Sequence, residues 1–157
     1  DHIKGEVLQY LGQALPITIG IFDFGGSVDT INFNNRFDLL ELNNKKEKYV
    51  KKAYDLLERG FLTKDTKTIG EATTISALAN QEILYKDKLD KIIDIVVQNG
   101  GLGINIAHSG TLLGVLFNNS DAEALSFCID ELSSKFNRMT YYRTVNLVNG
   151  GIYQEGE

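Results

Sequence analysis

A single cysteine, two histidines, one proline and no long apolar run set the first limits on this chain. Cys128 has no second cysteine to pair with, so no internal disulfide forms. It falls on the apolar stripe Leu125, Cys128, Ile129, Leu132 and Phe136, which predicts a buried structural thiol rather than a nucleophile. A lone cysteine also fits a reducing compartment, and a cytoplasmic location is expected. With only His2 and His108, no histidine-rich metal site is available. No segment approaches the ~20 apolar residues of a membrane helix, and nothing reads as a signal peptide. The net charge of −5 argues against nucleic acid and anionic membrane as partners, since both need a concentrated basic surface. The one basic cluster is Lys45-Lys46-Glu47-Lys48 with Lys51-Lys52. It reads as a solvated helix face, because Tyr49, Val50, Ala53, Leu56 and Leu57 supply an apolar stripe opposite.

What is present is ordinary for a soluble domain. At 157 residues, 43% hydrophobic and 24% charged, the chain is long enough for one domain with a substantial core. Two strands are expected first, Glu6 to Leu11 and Ile17 to Phe24, joined through the link that holds the only proline, Pro16. A helical block follows from about Asn43 to Val97. Its first helix should stop near Gly60, and the next should start at the capping-box pattern Thr68-Ile-Gly-Glu71. A third, from about Asp87, buries Leu89, Ile92, Ile93 and Val96 and ends at Gly100-Gly101. Leu102–Ala107 and Leu112–Phe117 read as a hairpin, Ser120-Asp-Ala-Glu123 opens a last helix to about Phe136, and Tyr141–Val148 alternates as a final strand. The expected fold is α+β: an antiparallel sheet of about four to five strands with helices on one face.

The most informative stretch is Asn99 to Phe117. Glycine at 100, 101, 103, 110 and 114 surrounds a His108-Ser109 pair, more glycine than a simple hairpin requires. Glycine in such numbers lets a backbone come close to an anion or another segment. A plain glycine-tolerant turn, with His108 bonding locally, remains an open reading. A second stretch, Ile21-Phe-Asp-Phe-Gly-Gly-Ser-Val-Asp-Thr-Ile-Asn-Phe-Asn34, ends a strand on a glycine pair with Asp29 and Thr30 just beyond. Its carboxylates serve either nearby backbone N–H groups or a ligand. Asp23-Phe24-Gly25 spells a protein-kinase triplet, but no His-Arg-Asp loop accompanies it and the match is coincidental. Ser76 and Asn80 share one helix face at i, i+4, and a surface-exposed polar pair is one reading that stays open.

Taken together, Gly103-Ile-Asn-Ile-Ala-His-Ser-Gly-Thr111 and the Asp23-Phe-Gly-Gly-Ser-Val-Asp-Thr30 run resemble two segments of the GHMP small-molecule kinases, in the same order. The wording is nearest to the branch typified by L-threonine kinase. The resemblance implies the ferredoxin-like C-terminal domain of such a kinase, and an ATP-dependent phosphoryl transfer to a hydroxyl of L-threonine or a similar small metabolite. It implies ATP and Mg2+ as cofactors, bound mainly by an N-terminal domain absent from this chain, because no Pro-x-x-x-Gly-Leu-x-Ser-Ser run and no Walker loop occur here. The isolated chain is then expected to be inactive and to hold no catalytic residue of its own. The implied substrate-binding residues are Gly25, Gly26, Asp29, Thr30, Ser76, Asn80 and His108, with Ser109, Gly110 and Thr111 as a phosphate-proximal loop and no metal ligand among them. Asp29 would meet the ammonium of an amino acid. The partners expected are the small-molecule substrate, the missing kinase domain and, as an open option, a second copy of the chain. A non-catalytic ligand-binding or dimerisation module on the same fold is the alternative, since fold does not fix function.

Overall fold

A computed structural model describes residues 9–26, 29–107 and 111–149. Four strands, β1 (Ile17–Asp23), β2 (Gly103–Ile106), β3 (Leu112–Asn118) and β4 (Thr140–Asn146), form one antiparallel sheet in the order β2-β3-β1-β4. The helices are α1 (Thr30–Asn34), α2 (Leu39–Thr63), α3 (Thr66–Ala79), α4 (Leu89–Gln98) and α5 (Ala122–Lys135). Strand, helices, hairpin, helix and strand in that spatial order make a ferredoxin-like βαββαβ unit, elaborated between β1 and β2 by four helices. The expected α+β antiparallel sheet is thus present, but helices cover both of its faces rather than one, α4 and α5 on one side and α2 and α3 on the other.

Period-two alternation sorts the sheet's faces. Phe22, Ile104, Leu113, Val115 and Phe117 bury one face against Leu89, Ile92 and Val96 of α4 and Leu125, Cys128 and Leu132 of α5. Gly20 leaves the room that Leu125 of α5 fills. On the other face Ile17, Ile19 and Leu116 meet Leu57 and Phe61 of α2 and Ile69 of α3. The α2–α3 pair wraps the β2 edge, where the Thr74 hydroxyl accepts a hydrogen bond from the Ile104 N–H at 3.0 Å. An edge amide is thereby satisfied without another strand.

Several boundaries differ from the expectation, each for a local reason. Both edges of β1 are taken by β3 and β4, so no hairpin joins it to the segment before Pro16. Gln9–Leu11 is not strand, and the rest of the expected strand, Glu6–Leu8, lies outside the described residues. Gly60 does not end α2. It stays helical because an added Cβ would sit 2.7 Å from Ile69 Cγ1, and the helix ends three residues later, with Lys64 left-handed at φ 56°. Thr68 is not the cap of α3. Asp65 is, accepting from the Lys67 N–H at 3.0 Å and the Thr68 hydroxyl at 2.6 Å. The Ser120–Glu123 box is likewise absent: Asp121 holds the N-cap position and takes the Ser120 hydroxyl at 2.8 Å instead.

Cys128 is fully buried, as its stripe predicts. Burial, with Glu131 nearby, pushes its thiol from 9.0 up to about 12. The folded state therefore keeps the proton that the unfolded chain gives up near pH 9, so this contribution is intact below pH 9 and is lost as pH rises toward 12. Native protein at pH 8 should resist iodoacetamide, with labelling tracking global unfolding in urea. Prompt stoichiometric labelling without denaturant would contradict this burial.

Candidate functional site

The register gathers the glycine-bearing segments at one end of the sheet. Asp23 closes β1 opposite Leu112, the first residue of β3, and opposite Thr140, the first residue of β4. Just beyond, the Phe24 N–H donates to Thr111 O at 2.9 Å and the Ala107 N–H donates to Leu112 O at 2.9 Å. The Gly25-Gly26 turn is therefore held beside Thr111, the last residue of the expected phosphate-proximal loop. Gly25 and Gly26 have φ of 69° and 82°, conformations that favour glycine, and the Gly25 N–H donates to Asp23 Oδ1 at 2.8 Å. His108, Ser109 and Gly110 lie outside the described residues.

Asp29 caps α1. Its Oδ1 accepts from the Ile31 and Asn32 N–H groups at 3.1 and 3.0 Å, and its Oδ2 accepts from Asn32 Nδ2 at 2.7 Å. Of the two readings open from the sequence, the structure thus gives the backbone-capping one a visible basis. Thr30 is the first residue of α1. An alanine at 29 is expected to cost about 1 kcal/mol through loss of the cap, and an asparagine a few tenths at most. Thermal melts of the two variants, compared with the unsubstituted protein, check this.

Ser76, which is exposed, and Asn80, which is half-buried, share a face, and both line an open cavity of about 260 Å³ at this same end. Lys46 and Val50 of α2 form one wall, Ser76 and Asn80 the second, and Ile106 with Ala107 of the β2 terminus the third. The cavity thus runs onto the residue immediately before His108. Lys46 Nζ donates to Asn80 Oδ1 at 3.0 Å, and partial burial lowers its pKa from the usual lysine value. Among the described residues no carboxylate lines this cavity. It continues past Val50, Ser76 and Ile106 into a second space of about 220 Å³ walled by Tyr54, Thr73 and Asn105. Asn105 Oδ1 is sealed there without a partner, over Gly114, where a Cβ would lie 2.1 Å from it. A second partly buried cation, Lys86, lies over the Phe24 ring at 6.0 Å, directly before the glycine turn, and burial lowers its pKa too.

Sequence reasoning missed Lys46, having placed the lysine cluster on a solvated face. Lys45, Lys48, Lys51 and Lys52 are indeed exposed, whereas Lys46 is half-buried. The signal was available: Leu42, Lys46, Val50 and Ala53 follow the 4-4-3 spacing of one helix face. Lys86 carried no such pattern.

Residues 53–135, more than half of the chain, match the family model for the C-terminal part of the GHMP kinases. The chain belongs to the GHMP kinase C-terminal family. Among curated relatives, an L-threonine kinase of Citrobacter freundii is 26% identical over 84 residues, a match that takes in 52% of this chain and 29% of that one. The fold is shared with the homoserine kinase of Cytophaga hutchinsonii (TM-score 0.62, 18% identity, 94% of this chain and 47% of that one). It is shared equally with the L. major mevalonate kinase solved with R-mevalonate (TM-score 0.63, 15% identity, 90% and 46%). The GHMP C-terminal domain described here therefore spans less than half the length of the kinases it resembles.

Proposed function

We propose that this GHMP domain forms the acceptor-side half of an ATP-dependent kinase that phosphorylates a hydroxyl of L-threonine or a closely related small metabolite. The observation that carries the reading is the cavity lined by Ser76, Asn80, Lys46 and Ala107, the last of these directly before the 108–111 segment in sequence. Phosphoryl transfer asks little covalent chemistry of a protein and much positioning. Here the Ser76 hydroxyl and the Asn80 amide orient the acceptor, while Val50 and Ile106 supply an apolar wall. Gly25, Gly26 and Thr111 lie at the same end of the sheet. In this reading the domain acts inside the cytoplasm. Among the described residues no helix is long and apolar enough to cross a membrane.

The family's chemistry draws on ATP and Mg2+. Among the described residues no three His, Cys, Asp or Glu side chains converge to ligate a metal, and the polar side chains lining the cavity are hydroxyl, amide and ammonium groups. These do not make a Mg-nucleotide site. In this reading that site belongs to a partner domain. Lys86, beside the glycine turn, is placed to face the anionic groups that such a domain would bring.

The test is ADP release by the natural polypeptide carrying this domain, supplied with Mg-ATP, with and without L-threonine. Threonine-dependent ADP supports the reading. Release that depends on no hydroxyl-bearing metabolite would leave the binding-module alternative in its place. Asp29→Asn separates two roles in the same assay, because asparagine keeps the cap and removes the charge. A raised acceptor KM with an unchanged melt assigns Asp29 to the acceptor's ammonium; unchanged kinetics leave it as a cap.

A further inference from the structure

We infer that the Lys46 ammonium is a carboxylate-binding group of this cavity, so that the acceptor is a hydroxyl compound that also bears a carboxylate. The inference rests on the proposed acceptor site and deepens it. Lys46 is the one half-buried member of its basic cluster. Its neighbour Lys45 is given a counter-charge one helical turn away, Glu41 at 2.7 Å. Among the described residues Lys46 Nζ bonds only the neutral Asn80 Oδ1, and Glu82, which lines the larger neighbouring cavity with it, makes no ion pair with it. A cation drawn partly out of water without an opposite charge is short of stabilisation, and an anionic ligand restores it. The direction of its pKa shift, downward through burial, agrees.

The donor count defines the anion. Besides Lys46 Nζ, the cavity offers the Asn80 side-chain N–H2 and the Ser76 hydroxyl, neither engaged within the described residues. Three donors on two adjacent elements match the two oxygens of a carboxylate. Lys46 also lines a larger cavity of about 450 Å³ beside Leu42 and Tyr49. Its Nζ, however, is bonded to Asn80, which walls only the smaller cavity. At about 260 Å³ that space suits a metabolite of a few heavy atoms and not a nucleotide.

The experiment compares L-threonine with 1-amino-2-propanol, which keeps the hydroxyl and amine and lacks the carboxylate. In the natural polypeptide, Lys46→Met should raise KM for L-threonine tenfold or more and leave 1-amino-2-propanol within twofold. Lys46→Arg should restore part of the loss. An equal effect on both acceptors, or none on L-threonine, overturns the inference. If the unsubstituted protein phosphorylates neither compound, it is the acceptor assignment that fails, and Lys46 is then judged by binding alone. Sodium L-lactate is titrated while the Lys46 ε-methylene resonance, assigned by its loss in Lys46→Met, is followed by NMR. A saturable shift supports a carboxylate site, and no shift overturns it. Matching melts of the unsubstituted protein and Lys46→Arg keep folding out of the comparison.

Discussion

Replacing Gly70 by alanine is expected to lower the melting temperature by roughly 6–12 °C, from a loss of about 3 kcal/mol at 2–4 °C per kcal/mol for a chain of this size. In most helices the same change would help, since alanine is favoured over glycine by about 1 kcal/mol. Here the helix surface meets backbone. A Cβ on Gly70 would lie 2.1 Å from Leu102 O and 2.4 Å from Leu102 C, and Gly103 closes on the Gly70 carbonyl from the opposite side. Real Cβ contacts essentially never fall below 3.0 Å, so α3 and β2 must part by about an ångström. That separation breaks the Thr74–Ile104 hydrogen bond, now 3.0 Å, and leaves the edge amide of β2 without its partner. It also moves Ser76 and Asn80 away from Ala107, so acceptor binding should weaken along with stability. Gly100→Ala is the control. Its φ is 81°, but nothing lies within 4 Å of an added Cβ, and only the cost of a left-handed backbone, about 1 kcal/mol, is expected. Equal melts for the two variants would contradict the close approach of α3 to β2.

Phe22→Ala should be comparably severe, with a loss of about 3–5 kcal/mol. Phe22 is fully buried, opposite Leu113 on β3 and edge-on to Tyr141 of β4 at 5.7 Å between ring centres. It belongs to the buried cluster that α4 and α5 cover, so truncation leaves a cavity within that cluster. Phe37 is 99% exposed, and its alanine variant should stay within about 0.5 kcal/mol of the unsubstituted protein. Urea unfolding of both variants, with the slope held common, provides the comparison. A Phe22→Ala midpoint close to that of Phe37→Ala would mean that the sheet's helical face is not the core.

How much of this was legible in the sequence depended on the range of the interaction. The β2–β3 hairpin, α4 with its glycine stop and the stripe of α5 are written in local periodicity, and each is where that periodicity puts it. The ends of α2 and α3 were misplaced because Gly60 and Thr68 carry signals that a partner overrides. Ile69 packs into the space Gly60 leaves, and Asp65 caps the helix before Thr68 has the chance. The Gly70–Gly103 approach could not be seen at all, since nothing local to either residue names the other. The same limit applied to the site. Ser76 and Asn80 were found from their spacing and the family resemblance, and they do face one cavity. Lys46 enters that cavity from α2, thirty-four positions before Asn80, and only the fold brings them together.

The most direct test of the acceptor site is a crystal structure of the natural polypeptide with L-threonine and a non-hydrolysable ATP analogue. The account predicts density for the amino acid between α3 and the end of β2. Its carboxylate should lie against Lys46 and Asn80, and its hydroxyl should be turned toward the 108–111 segment. Density for the amino acid elsewhere, with the Ser76–Asn80–Lys46 cavity empty, would contradict it.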